Sequence, residues 1–335
     1  MKYSIIVPVY NRPDEVDELL QSLTEQELKD FEVVIVEDGS QKPCKDVCDK
    51  FADILDLHYY VKENGGPGQA RNYGAERAHG EWLIILDSDV VLPKGYLKAV
   101  EDGLRGERKE ERGEFAAFGG PDASHPSFTP VQKAISYSMT SFFTTGGIRG
   151  GKKKLDKFYP RSFNMGIRSD VYQQLGGFSK MRFGEDIDFS YRIVEAGYNP
   201  QLIPDAWVWH KRRTDFRKFF RQVYNSGIAR INLEKRHPGT MKLVHLLPTV
   251  FTLGVIGLLL ITLFWPFACV PIILYSLLLC IDSSLRNKSL WVGLLSIPAA
   301  FVQLMGYGFG FIESWWKRCV LKQDEFTAFE KNFYK

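Results

Sequence analysis

Trp82-Leu83-Ile84-Ile85-Leu86-Asp87-Ser88-Asp89 decides how this chain is read. Five large apolar residues in a row form a short buried strand, and the strand runs directly into two carboxylates. Residues two apart on an extended chain point the same way, so Asp87 and Asp89 share a face. Two carboxylates so placed suit a hard divalent cation such as magnesium or manganese, which pairs naturally with phosphate oxygens. Carboxylates are common at strand ends, so the surrounding pattern has to supply the meaning.

Upstream, Tyr3 to Val9 reads as a buried strand bounded by Pro and Asn. Pro13 suits a first helical turn, and Asp14 and Glu15 favour its positive end. Val16, Leu19, Leu20 and Leu23 then fall at i, i+3, i+4 and i+7, one apolar face. Phe31 to Val36 is a second strand, ending in Glu37-Asp38-Gly39-Ser40, and Leu57 to Val61 is a third. Residues 67–79 read as a helix opened by a Gly/Pro loop. Strands alternating with helices predict an α/β fold, a mostly parallel sheet with helices on both faces. Ligands of such sheets bind beyond the carboxyl ends of the strands. There the polar residues collect: Tyr10 and Asn11, Glu37 and Asp38, Asp87 and Asp89.

Downstream, Phe183-Gly184-Glu185-Asp186-Ile187-Asp188 opens a helix running to Ala196, with Ile187, Tyr191 and Val194 as its expected apolar face. Acidic residues there also complement the helix dipole. His210 closes the aromatic, β-branched run Trp207-Val208-Trp209. Residues 105–114 carry mixed charge and read as a solvated helix end or loop. Residues 136–154 are rich in Ser, Thr and Gly and end in Lys152, Lys153 and Lys154; a mobile loop over a site and plain surface are both open for them.

The 335 residues suffice for one large domain with an appendage, or for two domains. A net charge of +3 is too mild for a nucleic-acid partner. The five cysteines are an odd set, and Cys44 and Cys48 have no His or Cys cluster nearby, so free thiols in a reducing compartment are expected. The apolar run Ile5 to Val9 is too short for a secretory signal and is broken by Pro8, which places the polar part of the chain in the cytoplasm.

The tail differs. Val244 to Phe264 is apolar and long enough to cross a bilayer. Trp265-Pro266 breaks it, and Phe267 to Ile281 reads as a short return. Asp282 to Ser289 is polar, and Leu290 to Ile312 is apolar again, with Pro298 inside. Lys211, Arg212, Arg213, Arg217, Lys218 and Arg221 begin a basic stretch that reaches Lys242, and the positive-inside tendency sets this side in the cytoplasm, on the inner membrane. Such a stretch also suits anionic headgroups. Three full crossings would carry Lys317, Arg318 and Lys322 to the other side. The expectation is therefore two to three hydrophobic segments, with the number of crossings open. The expected domains are a catalytic domain over 1–235, a basic juxtamembrane segment over 236–243, a membrane region over 244–312 and a tail over 313–335.

Taken in order, the motifs resemble those of family 2 glycosyltransferases of the GT-A fold, from residue 3 to about residue 235. The resemblance rests on Ser4-Ile5-Ile6-Val7-Pro8-Val9-Tyr10-Asn11, Val36-Glu37-Asp38-Gly39-Ser40, Gly65-Gly66-Pro67-Gly68-Gln69-Ala70-Arg71-Asn72, Asp87-Ser88-Asp89, Gly184-Glu185-Asp186 and His210. It implies that Pro8, Tyr10 and Asn11 line a nucleotide pocket, with Gly66 and Ser88 also on the nucleotide-sugar. Asp38 would contact the base, with Glu37 beside it, and Arg71 would reach the base or diphosphate. Asp89 would be the main ligand of Mg2+ or Mn2+, Asp87 would contact the ribose or the metal shell, and His210 would complete the metal site. Asp186 would be the catalytic base of an inverting transfer, with Glu185 or Asp188 steering the acceptor.

Gln222 and Arg230 loosely resemble the Q-x-x-R-W element of processive synthases and are kept as acceptor-site candidates. The tryptophan is missing, since Gln222 is followed by Val223, Tyr224 and Asn225, which speaks against polymerisation. The implied reaction moves a sugar from a nucleotide-diphosphate sugar to a membrane-associated, polyprenyl-diphosphate-linked acceptor in cell-surface glycan assembly. Loading of a bare polyprenyl phosphate is the alternative, ahead of processive synthesis or a non-catalytic nucleotide-sugar scaffold. The sugar, the nucleotide, the acceptor and the oligomeric state are not written in these motifs.

Overall fold

The computed structural model of the chain describes residues 1–106, 114–125, 127–145 and 158–325. The elements run β1 (Tyr3–Val9), α1 (Pro13–Thr24), β2 (Phe31–Asp38), α2 (Lys45–Phe51), β3 (Leu57–Lys62), α3 (Pro67–Ala75), β4 (Trp82–Leu86), β5 (Val90–Val91), α4 (Tyr96–Gly106), β6 (Ala117–Gly119) and β7 (Asp122–Ala123). They continue with α5 (Pro130–Thr140), α6 (Phe142–Thr145), β8 (Asn164–Arg168), α7 (Ser169–Gln174), α8 (Glu185–Glu195), β9 (Gln201–Leu202), β10 (Val208–His210), α9 (Phe216–Arg236), α10 (Leu247–Thr262), α11 (Val270–Asn287) and α12 (Leu290–Trp315). Most of the mixed-charge segment 105–114, and Lys152, Lys153 and Lys154, lie outside the described residues. The described residues form two compact units, one drawn from 1–123 and 158–211, the other from 124–145 and 212–325.

The first unit is built on a sheet of order β3-β2-β1-β4-β8-β6-β9. Its β3, β2, β1 and β4 run parallel, and β8 is antiparallel to both β4 and β6. Alternate residues of β1 feed two cores: Ile5 and Val7 pack with Leu19 and Leu20 of α1, while Ile6 packs with Val34, Ile85 and Ala70 of α3 on the opposite face. The four apolar positions read on α1 are fully buried. Helix α3 lies close on the sheet because Gly74 has no side chain; a Cβ there would sit 2.8 Å from Ile6 Cγ2. One expectation fails on α8. Of Ile187, Tyr191 and Val194, only Tyr191 is buried, and Phe189 and Ile193 form the inward face instead. Phe189 is drawn in by an aromatic cluster with Tyr172 and Phe178 that helical periodicity cannot show.

The second unit packs α9 against α12. Gly227 and Gly310 allow the contact, since a Cβ would lie 2.2 Å from Tyr307 O at the first and 2.0 Å from Tyr224 O at the second. Helix α9, read from sequence as part of a 1–235 domain, thus belongs by its packing to the apolar helices. Among the described residues, three helical stretches are long and apolar enough to cross a membrane: Leu243–Thr262, Pro266–Asn287 and Leu290–Val320. The second is longer than expected, because residues 282–287 continue α11 where a polar connector was read. Two polar residues of that continuation, Asp282 and Ser283, find partners within the unit. Asp282 pairs with Arg286 one turn on at 3.0 Å and accepts from Tyr137 OH at 2.7 Å, and the hydroxyls of Ser283 and Ser296 are hydrogen-bonded at 2.6 Å.

Candidate active site

Because β1, β2 and β4 are parallel, their carboxyl ends open on one edge, where Asp87 and Asp89 follow β4. Immediately beyond Asp89, β5 pairs antiparallel with β10, matching Val90 with His210. The Lys211 N–H donates to Asp89 O at 3.0 Å and seals the register. This pairing carries His210 across the chain to the carboxylates. One donor atom from each of Asp87, Asp89 and His210 lies within 4.8 Å of the others. His210 Nε2 is 3.3 Å from Asp89 Oδ1, its ring stacks on Phe163, and its Nδ1 is buried without a hydrogen-bond partner among the described residues. Two carboxylates and an imidazole with an unsatisfied nitrogen fit a divalent cation.

The motifs missed Arg12. Its Nη1 donates to Asp89 Oδ2 at 2.5 Å, a fixed positive charge beside the cluster. It follows Asn11, which turns the chain with φ 55° and braces the next loop. Asn11 Oδ1 accepts from the N–H groups of Gln41 and Lys42, and its own N–H donates to Ser40 Oγ at 2.8 Å.

Arg71 is 3% exposed and joins the two acidic motifs: Nη2 reaches Asp87 Oδ1 at 2.8 Å and Nη1 reaches Glu185 Oε1 at 3.0 Å. Glu185 and Asp186 begin α8 after Gly184, whose φ of 84° lets the chain turn in. Asp186 accepts from Arg161 Nε at 2.6 Å, another partner the motifs do not contain. The two carboxyls are driven apart. Burial pushes Glu185 up to about 6 despite Arg71. Burial would raise Asp186 too, but Arg161 and then Arg71 outweigh it and hold Asp186 below the usual carboxylate range.

The remaining candidates sort by what they touch. Asp38 binds its own chain, accepting from Lys62 Nζ at 2.8 Å and from the N–H groups of Gly65 and Gly66 at 2.9 and 2.8 Å. Gly66 caps α3 at φ 86°. Glu37 accepts from Ser40 Oγ, Cys44 N–H and Tyr59 OH, so it braces the loop after β2. Pro8 and Tyr10 are half-buried at the end of β1, and Ser88 is buried between the two carboxylates in sequence. Asp188 turns away from Glu185, to Ser179 Oγ at 2.8 Å and Arg192 Nε at 3.1 Å. Gln222 and Arg230 lie on α9 in the second unit, where Arg230 donates to Thr240 Oγ1 at 2.6 Å. Asn72 acquires a role unseen in its motif. Its Oδ1 accepts from Tyr172 OH and Phe178 N–H, and its Nδ2 donates to Phe178 O, which ties α3 to the segment leading into α8. The thiols of Cys44 and Cys48 are free and 4.0 Å apart.

Two family models match: Glycosyl transferase family 2 over residues 4–110 and Glycosyl transferase family group 2 over residues 82–303. The poly(ribitol-phosphate) beta-N-acetylglucosaminyltransferase TarS of Staphylococcus aureus is 39% identical over 102 residues, 29% of this chain and 18% of TarS. The chain thus matches under a fifth of the length of that relative. The glycosyltransferase AglE of Haloferax volcanii is 26% identical over 240 residues, 69% of this chain and 73% of AglE. Among solved structures, a mannosyltransferase of Pyrobaculum calidifontis in complex with GDP-Man and Mn2+ aligns with TM-score 0.65 at 17% identity, covering 95% of this chain and 88% of that one. Residues of TarS in complex with UDP align with TM-score 0.50 at 22% identity, covering 69% and 66%. These likenesses establish the GT-A arrangement, a mostly parallel sheet with helices on both faces.

Proposed function

Because this chain belongs to glycosyl transferase family group 2, we propose that it moves one sugar from a nucleotide-diphosphate sugar to a membrane-associated, lipid-linked acceptor with inversion at the anomeric carbon. The observation that carries the reading is the Asp87, Asp89 and His210 cluster joined through Arg71 to Glu185, with Asp186 next in the chain and held by Arg161. The donor class is supported by the UDP and GDP-Man complexes of the two structural neighbours, and the Mn2+ of the second supports a cation here.

A cation held by Asp87, Asp89 and His210 would neutralise charge on the departing nucleoside diphosphate. The imidazole nitrogen favours Mn2+ over Mg2+. Arg71 and Arg12 add fixed positive charge on the same edge. Asp186, kept ionised by Arg161 and Arg71, accepts the proton of the acceptor hydroxyl as its oxygen attacks. Glu185 holds Arg71 in place. Asp38 and Gly66 shape the nucleotide end through the loop they fix, with Pro8, Tyr10 and Asn11 along its floor. In this reading residues 1–123 and 158–211 carry the transfer and residues 244–312 anchor the chain. The basic side faces the cytoplasm at the cell membrane.

The test uses purified full chain with Mn2+, a panel of radiolabelled UDP- and GDP-sugars, and membranes from the native host. Label should pass to a lipid-extractable product, and Asp186→Asn should abolish transfer while leaving nucleotide binding intact. Label on bare polyprenyl phosphate would replace the lipid-linked oligosaccharide acceptor with the simpler one. A product ladder would mean processive synthesis. Donor binding without turnover on any acceptor would overturn the enzymatic reading.

A further inference from the structure

The second unit contains a recess of about 500 Å3 between the end of α9, the start of α10 and the end of α12. Ile231, Leu246, Leu253, Phe311 and Trp315 give it apolar walls. Leu253 is 57% and Trp315 47% exposed, so it opens outward from helices apolar enough to lie in a bilayer. The Thr249 hydroxyl lines it, buried and without a hydrogen-bond partner among the described residues.

The rim is charged unevenly. Glu234 lies on it, but its carboxylate closes the turn after α9, accepting from Gly239 N–H at 2.8 Å and Met241 N–H at 2.6 Å. Lys235 also lies on the rim, and no ion pair occupies it among the described residues. Lys242 follows Met241, another lining residue. An apolar slot with a cationic lip and an aromatic side chain fits a lipid with a hydrocarbon tail and an anionic head at the membrane surface.

We propose that this recess binds the first part of the chain of a single-chain isoprenyl phosphate, with Lys235 and Lys242 on its phosphate. The lysine at the lip matches an anionic head, and the isoprenyl class follows from the proposed lipid-linked acceptor. The proposal deepens the reading of a lipid-linked acceptor and rests on it for the ligand class. Binding itself requires no donor and no cation.

The experiment uses the full chain in phosphatidylcholine nanodiscs, without nucleotide or metal, and a diazirine-bearing isoprenyl monophosphate. Crosslinks should fall on peptides containing Leu246–Leu253 and Phe311–Cys319. Leu253→Trp, which fills the recess, should cut labelling by about tenfold, in keeping with loss of an apolar site. Lys235→Glu should weaken it by about fivefold. Nucleotide binding by both variants serves as the folding control.

Equal labelling by the neutral isoprenol would overturn the phosphate's role. Competition by phosphatidylglycerol as effective as by isoprenyl phosphate would overturn the single-chain assignment. Competition by inorganic phosphate alone would reduce the site to an anion patch, and labelling elsewhere on the chain would remove it. If labelling maps to the recess and no donor is turned over, the lipid site stands and the transferase reading fails. If transfer occurs and labelling misses the recess, the reverse holds.

Discussion

Replacing Arg12 by glutamine should make the chain bind Mn2+ more tightly when no nucleotide is present. Arg12 Nη1 sits 2.5 Å from Asp89 Oδ2, and the two side chains are 31% and 10% exposed. A cation that uses the Asp89 oxygens has to displace this guanidinium. Two unit charges about 4 Å apart interact by about 4 kcal/mol at an effective dielectric of about 20, and by about 1 kcal/mol in water. With Arg12 a third exposed, the lower figure is the better guide, in line with the roughly 0–1 kcal/mol measured for surface pairs. Removing the competitor is therefore worth about 1 kcal/mol, or about fivefold in affinity. Repulsion between a bound cation and the nearby guanidinium acts in the same direction. The assay is a Mn2+ titration followed by the electron paramagnetic resonance signal of the free ion, run with and without nucleoside diphosphate. With diphosphate present the advantage should shrink or reverse, because the wild-type arginine is then free to pair with phosphate. Unchanged or weaker Mn2+ binding in the nucleotide-free variant would refute the competition and remove Asp89 from the ligand set.

Three further outcomes follow from the same structure. Glu185, pushed from the usual 4.5 up to about 6, contributes stability that is complete below pH 4.5 and lost as pH rises through about 6; the thermal midpoint of the wild type should thus fall relative to Glu185→Gln across that window, and parallel curves would contradict the assignment. Asn72→Ala removes the partners of Tyr172 OH and of both Phe178 backbone groups, and should cost about 2–3 kcal/mol in denaturant unfolding with nucleotide binding also weakened. Gly74→Val would press a branched side chain on Ile6 and Val36, whose methyl carbons lie 2.8 and 3.1 Å from the Cβ position; a loss of about 2 kcal/mol is expected, and a neutral result would mean that α3 can lift off the sheet.

What could be read in one dimension was whatever physics repeats along the chain. Strands β1, β2 and β4 were legible as short continuous apolar runs, because a strand buried on both faces selects apolar groups at nearly every position, and the stripe of α1 because the helix repeats every 3.6 residues. Asp87 and Asp89 were legible as a pair because two residues along a strand is one pleat repeat. The apolar tail was legible because length and lack of charge suffice.

The rest depended on distant partners. Nothing near Arg12 marks it as Asp89's partner, and nothing near Arg161 marks it as Asp186's. Each pairing exists only once the sheet has brought the segments together. Helix α8 turned Phe189 inward because an aromatic cluster from α7 and its following turn was there to receive it. Residues 282–287 continue the helix with Asp282 and Ser283 partnered by Tyr137 and Ser296 of other helices. The sequence alone determined the strands, the acidic pairs and the apolar tail, since these are set by local spacing. Tertiary structure decided which charges neutralise which, and above all that His210 reaches Asp89, because the β5–β10 pairing joins residues that no local period connects.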